Sequence, residues 1–173
     1  MRTLGDFDRR LRPAFGNDGR EAPFQRDTGY EASPGVQEAL AAIDAAVPVV
    51  LITGRAGTGK TKLVQYLRER PGGDKQAIVA PTGIAALNAR AQTIHSFFQL
   101  RPDGVLDPKE IESSRNTGKL FRHMERLVID EISMVRVDVL DAIDVKLRRA
   151  RGDGRPFGAC RSFSSVTFSN FPL

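Results

Sequence analysis

Three short runs of consecutive apolar residues stand out along the middle of the chain: Val49–Ile52, Ala77–Ala80 and Leu127–Ile129. Each is too short for a helix and reads as a strand buried on both faces. Between them the periodicity changes. Ser33-Pro34 marks a helix start, and Val36, Leu40 and Ile43 follow at helical spacing. After Lys60, residues Leu63, Val64 and Leu67 fall on one helical face while Lys62, Arg68 and Glu69 fall on the other. A small-residue helix is expected from about Ile84 to Arg90, and another from about Val137 to Arg149 with Val137, Leu140, Ile143 and Leu147 as its inner stripe. Residues Arg101 to Gly118 carry Pro, Asp, Gly and Ser and read as a loop with room for one helical turn. Strands alternating with helices predict an α/β fold: a parallel sheet flanked by helices, right-handed crossovers, and ligands at the carboxyl ends of the strands.

A length of 173 residues suits one domain with a sizeable core, and 40% apolar residues agree with a globular chain. Residues 1–30 mix charges of both signs with Gly and Pro and show no periodicity, so they read as a disordered or loosely attached arm. A basic arm touching DNA is the functional alternative, but Asp6, Asp8, Asp18 and Glu21 dilute it. The regular domain is expected over residues 31–158. No apolar run is long enough to span a membrane, and Arg2 is not followed by the apolar core of a secretory signal. The single cysteine, Cys160, leaves no disulfide partner within the chain and favours a reducing, cytoplasmic setting. A net charge of +5 permits nucleic-acid binding without demanding it.

The candidate chemistry sits at the strand ends. Gly54-Arg55-Ala56-Gly57-Thr58-Gly59-Lys60-Thr61 fits the GxxxxGK[ST] pattern, with an apolar strand before it and an amphipathic helix after it. Glycines let the backbone close around phosphates, so that N–H groups and a helix N-terminus face the negative charge. Lys60 is expected to reach the β- and γ-phosphates of ATP, and the Thr61 hydroxyl to ligate Mg²⁺. The third apolar run ends in Asp130-Glu131, the expected second half of such a site: Asp130 for the metal, Glu131 to orient and polarise the attacking water.

Between these halves lie Ala80-Pro81-Thr82-Gly83-Ile84-Ala85-Ala86-Leu87 and Thr93-Ile94-His95-Ser96-Phe97-Phe98. Together with GRAGTGKT and IDEISMV, and in this order, they resemble the petite-integration-frequency (PIF) family of superfamily 1 DNA helicases, which move 5′ to 3′ on single strands. The resemblance runs from about Ser33 to Gly158. It implies a RecA-like P-loop NTPase domain and assigns further roles. Gln37 matches the adenine-reading glutamine upstream of the phosphate loop. Pro81, Thr82 and Gly83 match a segment touching the single-strand backbone, and Thr93, His95 and Ser96 fall in the next DNA-side segment. Phe97 and Phe98 divide evenly between a base-stacking face and a place in the core. His123 matches nothing.

After Gly158 the family continues with a strand ending in Gly-Asp and then Gln-Leu-Pro-Pro, whereas this chain reads ACRSFSSVTFSNFPL. Back-translation shifted by one base is compatible with the missing segment over fifteen consecutive positions, which implies a one-nucleotide loss near Gly158. The domain is therefore expected to be incomplete at its C-terminus, with residues 159–173 as an out-of-frame, frayed tail that leaves the Asp130 strand short of a neighbour. The resemblance implies an ATP-dependent helicase serving DNA replication, repair, recombination or telomere maintenance. Its setting would be a bacterial cytoplasm or nucleoid, or a nucleus or mitochondrion in a eukaryote. The fragment itself is expected to touch single-stranded DNA weakly and to lack unwinding activity. The alternative is a stand-alone P-loop nucleotide-binding module with no DNA motor.

Overall fold

The computed structural model describes residues 34–55, 58–69, 75–101 and 115–168, with residues 55, 61, 115, 116 and 161–168 described by backbone alone. The arm expected over residues 1–30 lies outside the described residues. In chain order the elements are α1 (Pro34–Asp44), β1 (Val49–Arg55), α2 (Lys60–Glu69), β2 (Gln76–Ala80), α3 (Gly83–Asn88), β3 (Gln92–Thr93) and α4 (Ile94–Phe98). They continue with α5 (Arg115–His123), β4 (Arg126–Ile129), α6 (Val137–Arg151) and β5 (Arg161–Phe168). The strands form one sheet in the order β1-β5-β4-β2-β3, and every neighbouring pair is parallel. The expected α/β architecture is present.

Strand alternation divides the core between the two faces of the sheet. Ala77 and Val79 of β2 and Leu127 and Ile129 of β4 point to one side, where Phe97, Phe98, Leu120, Phe121, Met124, Ile143 and Leu147 cover them. Ile78 and Val128 point to the other side and meet Val36, Ala39 and Ile43 of α1 and Leu63, Val64 and Leu67 of α2. Burial on both faces is why these strands carry unbroken apolar runs in place of alternation.

Five expectations need correction. The segment from 101 to 118 was expected to be a loop, yet a helix begins at Arg115 and continues to His123, burying Leu120 and Phe121 completely. In α6 the buried stripe is Val139, Ala142, Ile143, Lys146 and Leu147, while Val137, at the first helical position, is 76% exposed. Phe97 and Phe98 are both wholly buried, packed edge to face at 4.9 Å and against Phe121 at 5.8 and 5.2 Å. Neither ring offers a face to a base.

The fourth correction concerns the tail. Residues Arg161–Phe168 are not frayed: β5 runs between β1 and β4, with Ser162 opposite both Val49 and Leu127 and Ser164 opposite both Leu51 and Ile129. Without it, the facing backbone edges of β1 and β4 would be left without partners inside the sheet. The Asp130 strand therefore has neighbours on both sides, and the edge strands of the described sheet are β1 and β3. A fifth correction follows: β1, expected to be buried on both faces, is an edge strand with Val49 53% and Leu51 60% exposed. The entry to β5 is a tight turn. Phe157, Gly158 and Ala159 are all left-handed, and a Cβ on Gly158 would lie 2.6 Å from the Leu147 carbonyl oxygen. Amides of Arg161–Phe168 are thus expected to exchange as slowly as those of Leu127–Ile129. Hydrogen exchange by mass spectrometry measures this, and fast exchange across β5 would contradict its central place.

Candidate functional site

Because every strand runs in the same direction, all the candidate segments emerge at one end of the sheet. The phosphate loop follows β1, Asp130-Glu131 follows β4, and Pro81-Thr82-Gly83 follows β2. β3 was not foreseen, and it accounts for how the two segments expected on the DNA side meet. Ala80 and Thr93 are register partners across β2 and β3, so the residues after Ala80 and those from Thr93 onward lie side by side. The phosphate loop is at one edge of the sheet, these segments are at the other, and Asp130 lies between them.

Within the loop, Gly59 adopts φ 88°, a conformation that favours glycine, and its carbonyl accepts the Leu63 N–H at 2.9 Å to open α2. Lys60 is buried to 8% exposure; its ammonium donates to the Gly54 carbonyl at 2.5 Å and to Thr58 Oγ1 at 3.0 Å. A Cβ on Gly54 would come within 2.8 Å of Thr58 Oγ1 and 3.5 Å of Lys60 Nζ, so glycine at that position leaves room for this contact. Burial holds the Lys60 ammonium below the usual lysine range, and the Asp130 carboxylate acts in the opposite direction. A partly desolvated cation beside glycine backbone and a buried carboxylate is a donor set suited to a phosphate with a divalent cation. Ala56 and Gly57 lie outside the described residues, and of Thr61 the backbone alone is described, as the second residue of α2.

Asp130 is 7% exposed, and its Oδ1 accepts the Glu131 N–H at 3.1 Å. Glu131 is left-handed, at φ 52° and ψ 46°. A non-glycine residue held there costs on the order of 1–3 kcal/mol, and such outliers concentrate at functional sites. Here the turn takes the chain off the end of β4 and leaves Glu131 partly exposed next to buried Asp130.

Thr82 and Thr93 are helix caps. Thr82 Oγ1 accepts the Ala85 N–H at 3.1 Å, and Thr93 Oγ1 accepts the Ser96 N–H at 3.3 Å. Each hydroxyl keeps its own proton to donate. Pro81, Thr82, Thr93 and His95 are partly exposed and Gly83 and Ser96 exposed, which leaves these six reachable and Phe97 and Phe98 not. Gln37 is exposed on α1, which packs against β1. Arg68, at the far end of α2, was read from sequence as a solvent-facing charge, yet it holds the end of α3. Its spacing gives no sign of this, since the contact joins residues more than twenty positions apart.

Residues 35–163 match the PIF1-like helicase family. The ATP-dependent DNA helicase PIF1 of Saccharomyces cerevisiae (strain YJM789) is 32% identical over 130 residues, which are 71% of this chain and 15% of that protein. Pif1 of Bdellovibrio bacteriovorus is 32% identical over 126 residues, 71% of this chain and 29% of that protein. The crystal structure of Pif1 helicase from Bacteroides in complex with ADP-AlF3 and ssDNA superposes with a TM-score of 0.73 at 39% identity, covering 82% of this chain and 33% of that one. The chain thus spans a third or less of the length of these relatives. Among the described residues, no helix is long and apolar enough to cross a membrane. Sequence match, sheet and loop agree that the chain belongs to the PIF1-like helicase family.

Proposed function

We propose that this chain is the first ATPase domain of an ATP-dependent 5′-to-3′ DNA helicase, binding Mg·ATP at one edge of its sheet and single-stranded DNA at the other. The observation that carries the reading is the pairing of Ala80 with Thr93, which sets two hydroxyl-bearing segments side by side at the strand ends. The alternative, a stand-alone nucleotide-binding module, gives no reason for the APTGIAAL and TIHSFF segments that this pairing brings together. Further support comes from a Bacteroides relative whose crystal structure is described as a complex with ADP-AlF3 and ssDNA.

In this reading Lys60 and the glycine backbone of Gly54–Gly59 hold the phosphates, Thr61 and Asp130 hold Mg²⁺, and Gln37 meets the adenine. Bound Mg·ATP supplies a phosphoryl group whose transfer to water drives movement on DNA. Glu131 orients that water and accepts its proton. Pro81, Thr82, Gly83, Thr93, His95 and Ser96 face the sugar-phosphate backbone, where hydroxyl and N–H donors suit phosphate oxygens. We also propose that residues 159–173 stem from a one-nucleotide loss near Gly158, and that β5 stands where the in-frame strand would run.

Single-strand binding is expected to be weak and salt-sensitive, since neutralised phosphates dominate such contacts. Thr82→Ala with Thr93→Ala should weaken binding of a labelled oligothymidylate roughly tenfold, two hydrogen bonds of about 0.5–1.5 kcal/mol each. Thr→Ser at both positions keeps cap and hydroxyl and should retain affinity. Fluorescence anisotropy across a salt series is the measurement. Binding indifferent to salt, or to both alanines, would remove these segments from the DNA track.

A further inference from the structure

The phosphate loop and the strand-end threonines lie at opposite edges of the sheet, and one side chain joins the helices that carry them. α2 starts at Lys60 and ends at Glu69. From its last turn Arg68 extends a fork to the far end of α3: Nη1 donates to the Arg90 carbonyl at 2.5 Å and Nη2 to the Ala89 carbonyl at 2.8 Å. α3 is six residues long and is fixed at both ends. Thr82 caps its start, while Ala89, Arg90 and Ala91 turn their N–H groups back onto Ala85, Leu87 and Ala86 at its finish. Arg90 is left-handed there, at φ 50°, which presents its carbonyl to the fork.

Three features make this more than a surface contact. A guanidinium on the carbonyl end of a helix faces the negative end of its dipole. A two-pronged donor fixes orientation as well as distance, which a lysine ammonium does not. A second tie lies next to it, where Gln76 at the start of β2 donates through Nε2 to the Leu67 carbonyl and accepts from Arg126 of β4 at 3.2 Å. The β2–α3 segment is therefore held by the end of α2 at its beginning and at its end, with Pro81-Thr82-Gly83 between the two holds.

At the other end of α2, Lys60 is engaged with Gly54 and Thr58. A phosphate entering the loop competes with these partners for the ammonium, and the ten residues of α2 link that loop to Arg68. We propose that Arg68 is a positioning residue that couples the nucleotide state of the loop to the placement of Thr82, and hence to single-strand affinity. This rests on the function proposed above. Coupling is reciprocal, so DNA at Thr82 must alter nucleotide affinity by the same factor.

The test is a linkage measurement on the 173-residue chain. Anisotropy of a fluorescein-labelled oligothymidylate is titrated without nucleotide, with saturating Mg·ADP, and with Mg·ADP plus aluminium fluoride. In the wild type at least one nucleotide state is expected to change DNA affinity about fivefold or more, a typical coupling. Arg68→Lys and Arg68→Ala should bring that factor below about twofold while each ligand alone still binds, the ratio being a readout that lost stability does not mimic. A wild type without coupling, or coupling intact in Arg68→Lys, overturns the proposal. Absence of any DNA binding by the wild type would defeat the helicase reading separately. Hydrogen exchange then decides for Arg68: protection across Ala85–Arg90 gained with Mg·ADP in the wild type and missing in Arg68→Lys supports the link, and no such gain overturns it.

Discussion

Lys60→Ala lowers the affinity of the chain for Mg·ATP by roughly 30-fold or more, as expected when one partner of a buried, hydrogen-bonded charge pair is truncated at a cost of about 2–5 kcal/mol. The surroundings of Lys60 define what is being lost. The ammonium is buried, held to the Gly54 carbonyl and the Thr58 hydroxyl, and depressed below the usual lysine range by desolvation. A cation in that condition gains more from an incoming phosphate than a hydrated one would, because the desolvation is already incurred before binding. Lys60→Arg is not a conservative replacement here, since a planar guanidinium fork does not reproduce the point contacts that a single Nζ makes with the Gly54 carbonyl and Thr58 Oγ1. The measurement is an equilibrium titration with a fluorescent nucleotide, alongside thermal melting to show that the variant folds. Equal affinity in wild type and Lys60→Ala would remove the phosphate loop from the account.

The strands with unbroken apolar runs and the phosphate loop were legible from the sequence because local pattern specifies them. Ala77–Ala80 and Leu127–Ile129 are buried almost completely, and the sequence places Asp130 where the structure puts it, at the end of β4. What escaped is what depends on partners distant in the chain. β3 is two residues long and exists through its pairing with Val79 and Ala80, so no periodicity announces it. Leu120, Phe121 and Met124 do carry helical spacing, but the Gly- and Ser-rich stretch before them masks the start of α5. Lys146 is the opposite case. It lies on the buried stripe of α6 at 2% exposure, with its ammonium pushed down by burial, where a polarity rule would place it outside. A long aliphatic stem can line a core while its charge seeks the rim.

The candidate site divides in the same way. Residue types at fixed spacing make Lys60, Asp130 and Glu131 candidates. The left-handed turn at Glu131 and the caps at Thr82 and Thr93 are conformational facts that spacing cannot carry. Phe97 and Phe98 show the limit most plainly. Adjacent aromatics in a DNA-side segment were open to two readings, and a cluster with Phe121, a residue more than twenty positions away, decides for the core.

The largest effect expected concerns catalysis. The 173-residue chain should turn over ATP near background and show no stimulation by single-stranded DNA. Asp130 and Glu131 follow β4, but the resemblance to PIF-family helicases further implies a second domain that supplies transition-state arginines, and this chain spans a third or less of the relatives it matches. Such arginines contribute roughly 10³–10⁵ in rate to P-loop enzymes. If the frame after Gly158 is shifted as proposed above, a chain with that frame restored and a second domain joined should show a DNA-stimulated rate higher by a factor in that range. Glu131→Gln in the restored protein should abolish it while leaving nucleotide binding intact, because the amide keeps the shape and loses the base. A coupled ATPase assay with and without oligothymidylate measures all of these rates. Strong DNA-stimulated turnover by the 173-residue chain would show that β5, entering between β1 and Asp130, completes the site without a second domain. Full activity in Glu131→Gln would move the base elsewhere and leave the strained turn at Glu131 without a catalytic reason.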